Sequence, residues 1–171
     1  MSLCFQAWAC SDAGKVRRHN QDSFLVDPSL GLFAVADGMG GGSRGEVASA
    51  LACNALQEAI SEVHRDVENM GPDLSPEDME RLTTWLELAV LRSCKEVYDA
   101  SNALTGESGR MGTTLDVVWA IGTHIFTAHV GDGRIYRVNQ DTATAVTEDH
   151  TLVAEKIKRG ILTEEEAKTA K

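Results

Sequence analysis

The sequence has no Cys-x-x-Cys pair, no long apolar run, no basic leader and no surplus of positive charge, and each absence removes a class of protein. The four cysteines, Cys4, Cys10, Cys53 and Cys94, are spread along the chain in apolar, patterned surroundings. Reduced core thiols in the cytosol are therefore expected, not a disulfide framework. Met1 to Cys10 carries neither the basic start nor the apolar centre of a signal peptide, and no membrane segment is seen elsewhere. With 16 Lys and Arg against 26 Asp and Glu, the formal charge is −10. That balance argues against a nucleic-acid partner, which calls for a basic surface, and suits divalent cations or basic substrates better. The five histidines, His19, His64, His124, His129 and His150, share no ligand spacing and read as structural or solvent-facing, with His150 stabilising a turn. No internal repeat, low-complexity run or linker divides the chain.

What is present is the composition of one globular domain with a real core: 171 residues, 43% apolar and 25% charged. Alternation from Leu3 to Ala9 predicts a first strand, followed by the polar turn Gly14 to Asp22, a short strand over Ser23 to Val26, and a third strand over Leu32 to Asp37. From Ser43 to about Met70, Val47, Leu51, Leu56, Ile60, Val63 and Val67 recur at helical spacing, and Ala48, Ser49 and Ala52 permit close packing. Gly71-Pro72-Asp73 ends that helix. Ser75-Pro76 with Asp78 caps a second, whose stripe is Met79, Leu82, Leu86, Val90, Cys94 and Val97. After Gly112-Thr113-Thr114 the period changes to two, and three consecutive antiparallel strands are predicted over Leu115 to Ile121, Ile125 to Val130 and Ile135 to Val138. Short helical patterns follow, at Leu152 to Ile157 and after Thr163.

The most suggestive stretch is Leu32 to Gly41. A β-prone run carries Asp37 at its end and then has four glycines, Gly38 and Gly40 to Gly42, around Met39. A carboxylate presented beside bare backbone suits a hard cation such as Mg²⁺ or Mn²⁺. An ordinary Asp-Gly turn explains the same residues equally well.

Five stretches in order carry a resemblance. Asp12-x-Gly14-x-x-Arg17-x-x-Asn20-Gln21-Asp22, Val35-Ala36-Asp37-Gly38-Met39-Gly40-Gly41, Gly112-Thr113-Thr114, Val130-Gly131-Asp132-Gly133-Arg134-x-Tyr136 and Thr147-x-Asp149-His150-Thr151 together resemble the metal-dependent (type 2C) protein serine/threonine phosphatases in their bacterial form. The resemblance implies an α+β fold, a four-layer α-β-β-α sandwich of two antiparallel sheets flanked by helices. It also implies hydrolysis of phosphoserine and phosphothreonine in proteins by a hydroxide held between two Mn²⁺ or Mg²⁺ ions. In that scheme Asp37 bridges the two ions, the carbonyl of Gly38 adds a ligand and Asp22 supports the cluster. Asp132 holds a third, weaker ion, and Arg17 grips the substrate phosphate. The implied substrates are phosphoproteins made by a serine/threonine kinase, and the expected state is a monomer.

Three positions depart from the family pattern: Gln21 stands where relatives often have Glu in water-mediated contact with the metals, Met39 where eukaryotic relatives have His, and Gly133 where Ser is usual. The segment 151–171 corresponds to the family's variable flap. Two further metal-binding aspartates that relatives carry after this point are not in the sequence. The expectation is thus a single, C-terminally incomplete catalytic domain over residues 1–171. The alternative is a non-catalytic relative or fragment that binds a phosphopeptide or protein.

Overall fold

The computed structural model describes residues 5–71, 73–104 and 110–169. Two strands, β1 (Asp22–Asp27) and β2 (Leu32–Gly40), form an antiparallel hairpin, and two long helices follow, α1 (Arg44–Glu68) and α2 (Pro76–Ala103). The chain then returns through β3 (Met111–Thr113), β4 (Leu115–Ile121) and β5 (His124–Val130). It leaves through a small hairpin, β6 (Tyr136–Val138) and β7 (Ala143–Ala145), and two short helices, α3 (Leu152–Lys158) and α4 (Glu164–Thr169). The main sheet has the order β1-β2-β4-β5, with β3 also pairing β2, and β6-β7 is a second, separate sheet. All pairings are antiparallel. Sheets and helices in this arrangement agree with the expected α+β class.

The period-two pattern assigns the two faces of the main sheet. Leu32, Ala34 and Ala36 of β2 and Leu115, Val117 and Trp119 of β4 point inward and are buried under the helix pair. The inward side of α1 is made of small residues, Ala48, Ser49, Ala52 and Cys53, with Leu56 and Ile60 further on. Val47, expected in the stripe, is half exposed. Small side chains let the helix axis approach the sheet, which moves the buried stripe one residue round from the branched positions. Helix α2 begins as its sequence predicts: the hydroxyl of Ser75 accepts from the amide of Asp78 at 3.1 Å while the Asp78 carboxylate accepts from the Ser75 amide at 3.0 Å. Leu82, Leu86, Val90 and Val97 are buried as expected, whereas Cys94 is exposed. Cys10 is exposed as well, so among the described cysteines Cys53 alone is a core thiol. Cys4 and Pro72 lie outside the described residues.

Two strand expectations fail. Residues 5–10 form no strand, and Trp8 is 84% exposed. Alternation marks a segment able to join a sheet, but no described strand pairs with this one. Leu3 and Cys4 of that expected strand lie outside the described residues. The third of the predicted consecutive strands does not continue the main sheet either. The turn Gly131–Arg134 carries the chain away, and β6 pairs with β7, leaving β5 as an edge.

Candidate metal and phosphate site

The outer face of the main sheet, opposite the helices, carries the polar residues in rows. The register pairs Asp22 with Asp37, Phe24 with Val35 and Val26 with Phe33. Across the next seam Val35 faces Asp116 and Phe33 faces Val118, and beyond that Asp116 faces His129. Gly38 pairs with Thr113 on the β3 side. Asp37 and Thr114 therefore stand opposite each other where β3 gives way to β4. One row reads Asp22, Asp37, Thr114, and the next Phe24, Val35, Asp116, His129.

The ladder changes character at Asp37. Its amide donates to the Thr114 hydroxyl at 2.9 Å, not to a carbonyl, while its own carbonyl accepts from the Thr114 amide at 3.0 Å and the Thr113 hydroxyl at 3.1 Å. The Gly112-Thr113-Thr114 stretch thus clamps the backbone that carries the carboxylate. Gly38 is buried against the start of α1: a Cβ there would stand 2.0 Å from the carbonyl oxygen of Gly45 and 2.4 Å from that of Gln21. Glycine is required because two backbones meet at that point.

The first motif holds the other side. Asn20 accepts from the Asp22 amide at 3.1 Å and donates to Ser11 Oγ at 2.6 Å, and Ser11 Oγ donates to Asp22 Oδ2 at 3.0 Å. Gln21 turns away from Asp22. Its Nε2 donates to the carbonyls of Gly42 at 2.7 Å and Gly40 at 3.3 Å, and its backbone carbonyl accepts from Gly38 N and Ser49 Oγ. The amide ties the glycine loop to β1, which gives this position a structural role. Met39 is exposed.

Asp37 holds its proton more tightly than an ordinary aspartate. Loss of solvent contributes most, then the charge of Asp22 and its hydrogen-bonding contact; Arg17 opposes the shift and Asp132 adds to it. Three of the other four expected site residues, Arg17, Asp22 and Asp132, are thereby each within electrostatic reach of Asp37, and the fourth, Gly38, is adjacent to it in sequence. Arg17 lies exposed on the polar turn, and Asp132 is exposed on the turn after β5. An open cleft of about 210 Å³ beside them is walled by Ser11, Asp22, Asp37, Thr114, Asp116 and Arg134, among others. Among the described residues no three carboxylate, imidazole or thiol groups are arranged to hold a metal ion by themselves.

The sequence reading missed one pair. Asp116 is 4% exposed, and its Oδ1 lies 2.7 Å from His129 Nδ1, whose Nε2 meets the carbonyl of Glu148 at 3.0 Å. A charged residue inside the apolar run Leu115 to Ile121 was the available signal. His150 does hold a turn, as expected: its amide donates to Gly131 O at 2.7 Å and its Nδ1 accepts from Gly131 N at 3.4 Å. Arg134 makes a two-pronged bond to Asp149, 2.7 Å on each side.

The family model for protein phosphatase 2C matches residues 14–168. The chain belongs to the protein phosphatase 2C family. This family member is 33% identical over 160 residues to the serine/threonine phosphatase stp of Listeria innocua, covering 92% of the chain and 59% of that relative. It is 35% identical over 167 residues to the serine/threonine protein phosphatase PstP of Mycobacterium tuberculosis, covering 98% of the chain and 29% of PstP. A solved structure of the catalytic domain of PstP in complex with two manganese ions superposes with a TM-score of 0.68 at 33% identity, over 92% of the chain and 61% of that domain. The chain therefore spans well under two thirds of the length of these relatives.

Proposed function

We propose that the protein is a Mn²⁺- or Mg²⁺-dependent phosphatase that removes phosphate from phosphoserine and phosphothreonine in proteins. The observation that carries this reading is the Asp22–Asp37 pair, two carboxylates set face to face across β1 and β2 with a guanidinium and a third carboxylate within reach. Such a pair is costly unless a proton or a cation stands between its members, and an all-oxygen donor set fits a hard divalent ion. Asp37 and Asp22 would hold the core ions together with the carbonyl of Gly38, and Asp132 a third. When bound, the ions supply charge neutralisation on the phosphoryl oxygens and a water that gives up its proton near neutral pH.

The protein's own groups do the rest. Thr113 and Thr114 fix the Asp37 backbone so that its carboxylate stays on the outer face. Ser11 and Asn20 orient Asp22. Arg17, permanently charged and planar, would take two phosphate oxygens and orient the ester. Residues 1–171 would form part of one catalytic domain, with 151–171 as its flap. It would act as a monomer in the cytosol on the products of a serine/threonine kinase. Cys10, Cys53 and Cys94 are unpaired, and no helix among the described residues is long and apolar enough to cross a membrane.

A second reading, binding of phosphoprotein without turnover, is favoured by the absence of a three-ligand metal group among the described residues. Hydrolysis of a phosphothreonine peptide with and without Mn²⁺ separates the two. The enzyme reading expects Mn²⁺-dependent phosphate release that Asp37→Asn abolishes with the circular-dichroism spectrum unchanged. Peptide bound in the presence of Mn²⁺ but never cleaved would establish the binding module instead.

A further inference from the structure

The buried pair beside the site has no place in the chemistry above. Asp116 and His129 face each other across β4 and β5, with side-chain exposures of 3% and 8%. A pair of aliphatic side chains would extend the apolar row begun by Phe24 and Val35 without the cost of desolvating charge. What such side chains could not do is reach the backbone beyond the sheet. His129 does so through Nε2, which meets the Glu148 carbonyl at 3.0 Å, and its ring lies 4.6 Å from that of His150. The segment held in this way grips the Gly131–Arg134 turn at both ends: His150 exchanges hydrogen bonds with Gly131, and Asp149 takes the Arg134 guanidinium.

Asp116 also touches the turn directly. A Cβ on Gly133 would stand 1.8 Å from Asp116 Oδ2. The turn backbone thus rests on the carboxylate itself, and only glycine leaves room for it. Asp132 sits between Gly131 and Gly133, so both of its neighbours are fixed by this arrangement while its own side chain stays exposed.

We propose that Asp116 is a positioning residue: through Gly133 and through His129 it seats the Gly131–Arg134 turn and so sets where Asp132 stands relative to Asp22 and Asp37. The proposal rests on the reading of those three aspartates as metal-binding. Its test follows Mg²⁺-induced chemical-shift changes of amide signals in the ¹⁵N-labelled chain, which a diamagnetic ion confines to the groups around it. Gly38 reports the Asp22–Asp37 pair, and Gly131 and Gly133 report Asp132.

In Asp116→Ala the Gly38 signal shifts at the same Mg²⁺ concentration as in the wild type, whereas Gly131 and Gly133 require about tenfold more, the lower end of the loss when the support behind a ligand is removed. Asp116→Asn keeps an acceptor for the imidazole and restores most of the difference. Gly133→Ala, which places a methyl on the carboxylate, reproduces the loss and adds nothing further in the Asp116→Ala background; it makes the same comparison if Asp116→Ala does not fold. Identical Mg²⁺ dependence of the Gly131 signal in the wild type, Asp116→Ala and Gly133→Ala overturns the proposal. A wild-type chain in which Gly38 shows no Mg²⁺-induced shift overturns the metal reading itself, and the proposal with it.

Discussion

Replacing Gln21 with Glu separates a structural role from a metal-binding one. The Nε2 of Gln21 donates to two carbonyl oxygens, Gly42 at 2.7 Å and Gly40 at 3.3 Å. A glutamate has the same length but no donor, so it loses both bonds and brings a negative oxygen against two others. A hydrogen bond contributes about 1 kcal/mol net, and a carbonyl stripped of its donor costs somewhat more. The first bond is short and the second marginal, which puts the total at about 2 kcal/mol. For a domain of this size that lowers the melting temperature by about 4–8 °C. The assay is thermal unfolding by circular dichroism at neutral pH without metal, followed by Mn²⁺ titration. Lower stability, with metal affinity unchanged or weaker, is expected. Unchanged stability together with tighter Mn²⁺ binding would refute the reasoning, because it would place the side chain at the metals.

Three further outcomes follow from the geometry. Gly38→Ala forces a methyl to within 2.0 Å of the Gly45 carbonyl oxygen and 2.4 Å of that of Gln21; separating β2 from α1 costs about 3 kcal/mol or more, read as a lower urea midpoint, and an unchanged midpoint would mean the two backbones do not meet there. If the chain is the proposed phosphatase, Arg17→Ala raises KM for a phosphothreonine peptide by about tenfold to a hundredfold with little change in kcat, the loss expected for hydrogen bonds to a charged group; a KM equal to wild type removes Arg17 from the phosphate. Asp27 binds its proton less tightly than usual, first because the Ser29 hydroxyl donates to it and also through Gln57, Leu30 and the Ser29 amide, against an opposing loss of solvent. That depressed value gives stability that is present above the unfolded value of about 3.9 and lost as pH falls through the folded one. Urea unfolding should therefore show a stability gap between wild type and Asp27→Asn that is full at pH 6 and narrows below pH 4, and a gap constant across that range contradicts it.

The helices were legible because each was signalled twice, by periodicity and by caps: Ser75, Pro76 and Asp78 located the start of α2 to the residue. Asp37 was legible because a polar residue at the end of an apolar run is conspicuous, although the strand itself continues to Gly40. Two features were not. Leu3 to Ala9 alternates as a strand does, but pairing depends on partners that a local pattern does not contain, and residues 5–10 stay irregular. The association of Ile135 to Val138 with β7 was equally invisible, since the Gly131–Arg134 turn reads like a hairpin and acts as an exit. The role of Gly133 could not be read from its neighbours either, because the group that requires glycine there, Asp116, lies seventeen positions earlier on another strand. Asp116 and His129 were each plain in the sequence, and only the β4–β5 register makes them a pair.

The row arrangement on the outer face limits how this site can change over time. Asp22 and Asp37 meet because both strands hold an even count between their carboxylates and the residues buried under the helices. Loss of a single residue within β1 would send Asp22 into the layer now filled by Ser23 and Leu25, against α1, and bring a different set of side chains to the cleft. Loss of two would keep the face but shift the carboxylate one rung away from Asp37. Length variation that preserves the pairing is thus confined to the segments outside β1 and β2, such as the polar turn before Asp22 and the chain beyond β5. The hairpin acts as a fixed ruler for the site.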